Sequence, residues 1–558
     1  MNIIENMKKL FCRKNITAFM GILAAVIICT SVIYTRKDKK IVITTNKAEE
    51  YFYAGEYDKA AEEYKNIRAK DNNSLIWTLK IAEVYSVKGN IDLSRKYIEE
   101  AKKVGSTDPE TLNLMIFTEF MNKDYKTAAK DGEKALNFIP NNKKLIKTMF
   151  TVYMANNELE KAQILVKLYP ADEKSAYDCA EFARMLMVVG KDDEGFEMLR
   201  KAWSIDKDEY KIYDVLSQIA VYNKDDLLQK IMALSKKKPN DDAYKMWLAK
   251  IYSLSEETAS MAQNILNGLK TKDVGTTEIK LIEASILQNS KQSKKADQMI
   301  SSIIDENEED YSVFHTAGWY YLNKNEIKKA EEYCKKSILL NKEYPDNYGF
   351  LMPEILKAKG KSLEGEPYFR TALYLEPYNY NIMLNIADYY WYTAKNSSKA
   401  LEYFKFAEIV KPDDAEIKYN MALIYLTDGK QDEAVKYLKE CIKISDIVPK
   451  YHRTLGTIYF LKKDYKSAIK EIRYAYSGDE NDILTLNNAG CYYISVEANL
   501  QRGVFNLQAA KKGISKDTDD YTKNTIESNY NKAKKLYDAY LKGKGNEKFK
   551  VPEFTLFY

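Results

Sequence analysis

The sequence predicts an all-α fold made of about 14 stacked helix–turn–helix units. One small residue recurs every 33 to 35 positions, and tyrosine and glycine precede it by nine and five positions in several units. The unit at residues 418–444 shows the pattern most clearly. Ala422 and Tyr425 lie on one helical face, Gly429 supplies a turn, and Ala434 begins an apolar stripe on a second helix. One such hairpin cannot bury its stripe alone, so neighbouring hairpins have to stack.

The small residue can be followed through almost the whole chain and serves as the anchor position of each unit. In order, the anchors are Ala60, Ser94, Ala128, Ala162, Gly195, Leu228, Ala262, Ala296, Ala330, Gly365, Ala400, Ala434, Ala468 and Gly503. Turn glycines five positions earlier are Gly55, Gly89, Gly190, Gly360 and Gly429. A residue type that keeps its place at a constant period indicates a solenoid rather than several globular domains.

This period and its small, aromatic and glycine positions resemble the tetratricopeptide repeat (TPR) family. The resemblance covers roughly residues 41–515 and is weakest at residues 209–268. It implies a right-handed superhelical solenoid whose first helices line a concave groove. It also implies that the groove binds a protein or peptide, and the overall layout resembles a membrane-anchored bacterial-type TPR protein.

The N-terminal region predicts a membrane anchor. Residues 16–34 contain no charge over 19 positions, and the basic run at residues 36–40 follows them. This length at ~1.5 Å per residue crosses most of a ~30 Å hydrocarbon core. A cleaved signal peptide is the alternative. A short basic N-terminus usually stays cytoplasmic, so we expect a single-pass membrane protein with an extracytoplasmic array.

The remaining boundaries follow from breaks in the repeat. A polar, glycine-flanked stretch at 268–277 predicts a hinge, and Pro353 predicts that the first helix of repeat ten is kinked or starts late. The apolar tail is expected to pack on the capping helix, and the alternative is a docking strand for a partner. The predicted segments are a basic tail 1–15, a transmembrane anchor 16–35, TPR sub-array 1 at 41–268, TPR sub-array 2 at 277–515, a capping helix 516–542 and the apolar tail 543–558.

Composition argues against several function classes. The whole chain carries a net charge of +5, but the first 40 residues hold eight Lys/Arg against two acidic residues, which leaves −1 for the rest. A neutral array gives no reason to expect a nucleic-acid partner. The only histidines, His315 and His452, lack partners at ligand spacing, and the six cysteines form no C-x-x-C pair. We therefore expect no enzyme activity, no metal and no cofactor.

A second stripe along the first helices of repeats nine to thirteen predicts the binding surface. It is rich in aromatic and aliphatic side chains, as interaction hot spots are. The alternative is that these residues are half buried between neighbouring repeats. The predicted binding residues are His315, Trp319, Phe350, Leu384, Trp391, Tyr419, Leu423, Arg453 and Phe460.

A second resemblance concerns the same helices. Asn385, Asn420 and Asn488 precede small residues by two positions, which resembles the asparagine ladder of O-linked N-acetylglucosamine transferases. No glycosyltransferase region follows. The function predicted from the sequence is a membrane-anchored TPR scaffold for protein–protein interaction. The alternatives are a receptor-like array for an extended peptide or glycan, and an accessory subunit that presents substrate to a membrane enzyme.

Overall fold

The computed structural model describes residues 41–71, 74–269, 276–543 and 550–558, and within these ranges it is helical without any β-strand. The all-α prediction is confirmed. The first half contains α1 Lys47–Tyr53, α2 Tyr57–Lys70, α3 Ser74–Val87, α4 Ile91–Val104, α5 Pro109–Met121, α6 Tyr125–Phe138, α7 Lys143–Ala155, α8 Leu159–Lys167, α9 Ala176–Val188, α10 Asp192–Ile205, α11 Tyr210–Lys237, α12 Asp242–Tyr252 and α13 Ala259–Leu269.

The second half continues the series of hairpins and ends on one longer helix. It contains α14 Thr276–Asn289, α15 Ser293–Glu306, α16 Tyr311–Asn323, α17 Ile327–Leu340, α18 Met352–Ala358, α19 Glu366–Leu375, α20 Tyr380–Asp388, α21 Ser397–Val410, α22 Ala415–Thr427, α23 Gln431–Ile444, α24 Pro449–Leu461, α25 Tyr465–Gly478, α26 Ile483–Ser495, α27 Leu500–Lys512 and α28 Asp520–Lys542. The helix α28 corresponds to the predicted capping helix.

The hairpin formed by α22 and α23 has the predicted packing. Ala422 and Ala434 are fully buried, and the ring of Tyr425 stacks on Tyr437 with 5.5 Å between centroids. Gly429 ends α22 with φ = 75°, and the next backbone N–H donates to the carbonyl of Tyr425 at 2.7 Å. This left-handed residue closes the helix end with the 6→1 hydrogen bond of a Schellman turn.

The same left-handed position recurs along the array even where glycine is absent. All five predicted turn glycines have positive φ, as does the residue five before the anchor in seven other repeats. The residues that take this conformation without being glycine are Lys123, Asn157, Lys291, Asn325, Lys395, Lys463 and Ala498. The repeat therefore fixes the backbone conformation more strictly than the residue type.

Repeats six and ten are among those that depart from the regular hairpin. In repeat ten, a π-helical turn at Asn347–Leu351 leads into α18, and Pro353 lies in the first turn of that helix. Proline has no N–H to donate, so it is accommodated at a helix start rather than inside a helix. This agrees with the disturbance expected at Pro353. In repeat six, α11 runs through the turn position with only a kink at Asn223.

The two sub-arrays pack against each other, which the repeat pattern did not predict. The ring of Phe117 on α5 lies 5.3 Å from Tyr374 on α19, and the hydroxyl of Tyr374 donates to Glu110 at 2.7 Å. The Lys211 Nζ on α11 donates to Glu376 Oε1 at 2.5 Å, and both side chains are buried. These contacts join residues more than 160 positions apart in the sequence.

The groove of sub-array 1 is filled by sub-array 2. The contacting residues of sub-array 1 come from its first helices, the ones predicted to line the concave side. They are Tyr53, Ser86, Glu110, Phe117, Phe120, Phe150, Lys211 and Gln218. Their partners lie on α19, on α21 and on the loop between α19 and α20. The groove of sub-array 1 is called the N-terminal groove below. The helix α19 lies in it in the way that a helical peptide ligand lies in the groove of its receptor.

Several predicted features fall outside the described residues. The anchor at 16–35 and the basic tail 1–15 are among them, as are residues 270–275 of the predicted hinge. Within the ranges that the structure describes, no helix is long and apolar enough to cross a bilayer. The cysteines Cys334 and Cys441 are buried free thiols.

Candidate functional site

The nine predicted binding residues do not form one open surface. His315 and Trp319 lie on α16, Phe350 on the π-helical turn, and Leu384 on α20. The other five are Trp391, just after α20, Tyr419 and Leu423 on α22, and Arg453 and Phe460 on α24. Four of the nine are buried and the other five are half buried, which is the alternative considered for this stripe. Their role in binding remains a prediction.

At the start of the stripe, His315 is enclosed by the chain itself. Its side chain is only 4% exposed, and the rings of Tyr210 and Tyr344 pack against it with centroids 6.0 and 5.0 Å away. Trp319 Nε1 donates to His315 Nε2 at 3.1 Å, so the proton of the neutral imidazole lies on Nδ1, which faces Asn347 Oδ1 at 2.9 Å. Burial lowers the pKa of His315 to about 4. This imidazole is a structural group, out of reach of an external partner.

At the far end of the stripe, an extended segment of the chain lies in the groove. Residues 550–558 follow the first helices α24 and α26 and the long helix α28. The tail is in neither helix nor strand, and its backbone is hydrogen bonded to side chains rather than to other backbone. We define the C-terminal groove by Arg453, Thr457, Asn487, Asn488 and Asn529. In this structure the groove already holds a peptide, which is the tail of the same chain.

Two asparagines hold alternate residues of this peptide. Asn488 Oδ1 accepts from the backbone N–H of Phe557 at 2.8 Å, while Asn488 Nδ2 donates to the Phe557 carbonyl at 2.7 Å. Asn529 does the same to Thr555, at 3.2 Å from its N–H and 2.7 Å to its carbonyl. Each side-chain amide therefore satisfies both polar groups of one peptide residue. Spacing two such clamps by two residues matches the repeat of an extended strand.

Further donors reinforce both clamps. Thr457 Oγ1 donates to the carbonyl of Phe557 at 2.6 Å, and Asn487 Nδ2 donates to that of Thr555 at 3.1 Å. Arg453 Nε donates to the backbone oxygen of Tyr558 at 3.3 Å, and its guanidinium also pairs with Asp482. Because Arg453 is already paired, the groove offers the peptide mainly neutral hydrogen-bonding groups.

Apolar pockets on either side receive the side chains of the tail. Phe557 is 7% exposed and belongs to a cluster with Leu486, Ala510 and Ile526. Phe554 and Leu556 point to the opposite side and pack on the cluster that contains Leu507, Ala533 and Leu536. The alternation is that of an extended strand, whose successive side chains face opposite sides. The backbone clamps fix the register of the peptide, and the pockets select its side chains.

The sequence named part of this site and missed the rest. Arg453 belongs to the predicted stripe, and Asn488 to the predicted asparagine ladder. Asn385 of that ladder also binds the backbone of its own chain, since its side-chain amide donates to the Gly349 carbonyl at 2.8 Å. Asn487 and Asn529 were not predicted, because neither matches a position of the ladder. A polar residue on the otherwise apolar face of α28, next to Ile526 and Ala533, was the available signal for Asn529.

Two segments match the Tetratricopeptide repeat family, residues 311–344 and 415–446. These segments are tetratricopeptide repeats. They include α16, which carries His315 and Trp319, and the hairpin of α22 and α23. The C-terminal groove begins in the hairpin that follows the second matched segment, in helices that continue the same spacing of about 34 residues.

Several solved structures are similar to this chain at low sequence identity. Pseudomonas aeruginosa pilF is 12% identical, covers 39% of this chain and 96% of its own, and has a TM-score of 0.30. YrrB, a TPR protein with an unusual peptide-binding site, is 18% identical over 34% of this chain and 95% of its own, with a TM-score of 0.27. A third is Naa15/Naa10 bound to HypK-THB, at 14% identity, 89% and 91% coverage and a TM-score of 0.35.

These TM-scores and identities are too low to carry an inference about what this chain binds. No curated protein sequence matches the chain significantly. The groove geometry is therefore the basis for the functional argument.

Proposed function

We propose that this protein is a TPR scaffold that binds an extended segment of a partner protein in its C-terminal groove. The observation that carries this proposal is the pair of amide clamps, Asn488 on Phe557 and Asn529 on Thr555. A side-chain amide presents one acceptor and two donors, which match the N–H and C=O that every extended peptide displays along one edge. The site is therefore suited to a peptide backbone.

The charge of the groove supports a peptide rather than a polyanion as the ligand. Asn487, Asn488, Asn529 and Thr457 are neutral. Two cations also donate to the tail backbone, Arg453 to Tyr558 and Lys532 to Glu553, and Arg453 is paired with Asp482 as well. Binding to a nucleic-acid backbone depends on several lysines or arginines that replace counterions. A neutral groove flanked by apolar pockets instead suits a segment with bulky apolar side chains.

The scaffold is further proposed to be held at a membrane and to have no catalytic activity of its own. The support for the tether is the uncharged run at residues 16–34 with basic residues on both sides. Extraction of membranes with alkaline carbonate tests it. The full chain is expected to stay in the membrane pellet, and a chain that lacks residues 16–34 is expected in the supernatant. Release of both would refute the tether and leave the groove assignment intact.

Peptide binding is tested with a nonapeptide of the sequence of residues 550–558, labelled with fluorescein and followed by fluorescence anisotropy. The receptor is the full-length chain in detergent with Phe557→Asp, which places a charge in the pocket of its own tail and so frees the groove. We expect saturable binding, and loss of binding when Asn488→Ala and Asn529→Ala are added. Asn420→Ala is the matched control, since Asn420 holds the position equivalent to Asn488 two repeats earlier.

No binding by the Phe557→Asp chain, or equal binding by the double asparagine variant and the Asn420→Ala control, would refute the proposed function. Far-UV circular dichroism and the thermal unfolding midpoint verify that each variant is folded. A second way to free the groove, Thr555→Pro, removes the N–H that donates to Asn529. If the Thr555→Pro chain binds the nonapeptide as the Phe557→Asp chain does, the binding does not depend on the introduced aspartate.

A further inference from the structure

The tail and the groove belong to the same chain, so the site proposed for partners is occupied before any partner arrives. Residues 555 and 557 use both clamps, and Phe557 fills its pocket. A partner segment that needs the same amides cannot bind beside the tail. It has to replace the tail.

The buried amides explain why the groove is not simply left empty. Asn487 and Asn488 are fully buried and Asn529 is 1% exposed. Buried polar groups without partners are strongly unfavourable. Asn488 and Asn529 obtain their backbone partners from the tail, which both covers these amides and satisfies them. The tail supplies an extended peptide in the absence of a partner.

The two self-occupied grooves of the molecule differ in how firmly they are filled. In the N-terminal groove, α19 is anchored by the buried Lys211–Glu376 ion pair and by aromatic packing within the main core. In the C-terminal groove, the tail is held along one edge only. The backbones of Phe554 and Leu556, on the other edge, make no hydrogen bond to the described residues, and Val551 and Tyr558 are exposed. The tail is therefore the exchangeable occupant, and α19 is part of the fold.

We propose that residues 550–558 are a built-in competitor that closes the C-terminal groove, and that the partner is an extended protein segment which displaces them. This inference rests on the proposed function. The partner segment resembles the tail in chemistry, with a bulky aromatic side chain at the position of Phe557 and apolar side chains at those of Phe554 and Leu556. Backbone recognition by the asparagines places no further demand on its sequence.

A second copy of the chain is a poorer candidate for the displacing partner. Each copy carries one groove and one tail, so exchange of tails between copies leaves the number of filled grooves unchanged. A segment of a different protein adds a peptide without adding a groove. Tethering gives the resident tail a high effective concentration, which lowers the apparent affinity of any competitor. Release of the tail is therefore a step at which partner binding is controlled.

The test compares full-length chains in their affinity for the labelled nonapeptide of residues 550–558. Phe557→Asp and Thr555→Pro are expected to bind it about tenfold more tightly than the wild-type chain, or better, because they disable the tethered competitor. The control Val551→Asp changes an exposed residue of the same tail and is expected to match the wild type. Adding Asn488→Ala to Phe557→Asp is expected to abolish binding.

The outcomes separate this inference from the proposed function. Equally tight binding by the wild-type and Phe557→Asp chains would overturn the competitor while leaving peptide binding intact. Absence of binding by all variants would overturn both. A concentration-dependent dimer of the wild type that Phe557→Asp abolishes, measured by light scattering, would also overturn the inference, because the tail would then fill the groove of another copy.

Discussion

Asn488 engages the backbone of Phe557 with both polar atoms of its side-chain amide, accepting from the N–H at 2.8 Å and donating to the carbonyl at 2.7 Å. The two residues are 69 positions apart, and the asparagine lies in the middle of a buried helix. This bidentate contact is the simplest evidence that the C-terminal groove recognises an extended peptide. It also makes the state of the tail measurable at a single backbone amide.

The first prediction concerns that amide. Asn488→Ala removes the acceptor of the Phe557 N–H, and hydrogen exchange of the segment at residues 550–558 is expected to become about tenfold to a hundredfold faster. This corresponds to the loss of hydrogen bonds worth about 1–3 kcal/mol. Hydrogen-exchange mass spectrometry of the C-terminal peptide is the measurement, with Asn420→Ala as the control. Unchanged exchange in Asn488→Ala would show that the clamp does not hold the tail.

The second prediction concerns the contact between the two sub-arrays. Lys211→Met leaves Glu376 buried without its cation, and we expect a loss of about 3–5 kcal/mol in unfolding free energy. The double change Lys211→Met with Glu376→Met is expected to recover part of that loss, since Glu376 no longer lies unpaired while Asp214 still loses its contact with Lys211 at 3.3 Å. Urea denaturation followed by circular dichroism measures both.

A surface pair provides the control for this buried one. Lys462 and Asp432 also form an ion pair, but both side chains are exposed. Lys462→Met is expected to cost less than about 1 kcal/mol. If Lys211→Met proved as mild as Lys462→Met, the Lys211–Glu376 contact would not hold the sub-arrays together.

The third prediction concerns the left-handed turn position. Lys463 has φ = 62°, a conformation that costs a non-glycine residue about 1–2 kcal/mol, so Lys463→Gly is expected to raise stability by about 1 kcal/mol. Gly429→Ala at the equivalent turn is expected to lower it by a similar amount. Gly429 has φ = 75° and open space around it, so the cost there is backbone strain and not a clash. Thermal unfolding midpoints compare the variants.

Its control is a glycine placed where the backbone is helical. Lys470 is an exposed residue inside α25, and Lys470→Gly is expected to destabilise by about 1 kcal/mol. If stability rises in Lys463→Gly and falls in Lys470→Gly, the effect is due to the backbone conformation at each position. The same sign at both positions would contradict it.

The fourth prediction is a pH dependence from His315. Burial lowers the pKa of this imidazole to about 4, below the usual value near 6.5. Between these two pH values the unfolded chain binds a proton that the folded chain does not, so stability falls as the pH drops from about 6.5 to 4. A pKa shift of this size changes the unfolding free energy by about 3 kcal/mol. The folded chain has this stability in full above pH 6.5 and loses it as the pH falls to about 4.

The measurement is the thermal unfolding midpoint between pH 4 and pH 7 for the wild type and for His315→Gln. The variant keeps a polar side chain but has no proton to gain, so its midpoint is expected to fall less steeply on acidification. If the midpoints of the wild type and of His315→Gln fell equally on acidification, His315 would not be the cause of the loss of stability at low pH.

The repeat architecture follows from the sequence alone. Spacing of small residues, tyrosines and glycines predicted the α22–α23 hairpin, and Gly429 took the turn conformation assigned to it. The disturbance at Pro353 was equally local, since proline acts on its own helix turn. Features of this kind depend on contacts within one hairpin or between neighbours, which a periodic sequence encodes directly.

The occupied grooves, by contrast, were decided by tertiary structure. The stripe from His315 to Phe460 predicted a single binding wall, but Tyr210 and Tyr344 enclose His315, while the tail lies beside Arg453. The contacts of Phe117 with Tyr374 and of Asn488 with Phe557 join distant parts of the chain. No local period specifies such contacts, because they depend on how far the superhelix turns over many repeats. The sequence determined the helical hairpins and the apolar faces of their helices, and only the folded chain determined which of those faces it covers itself.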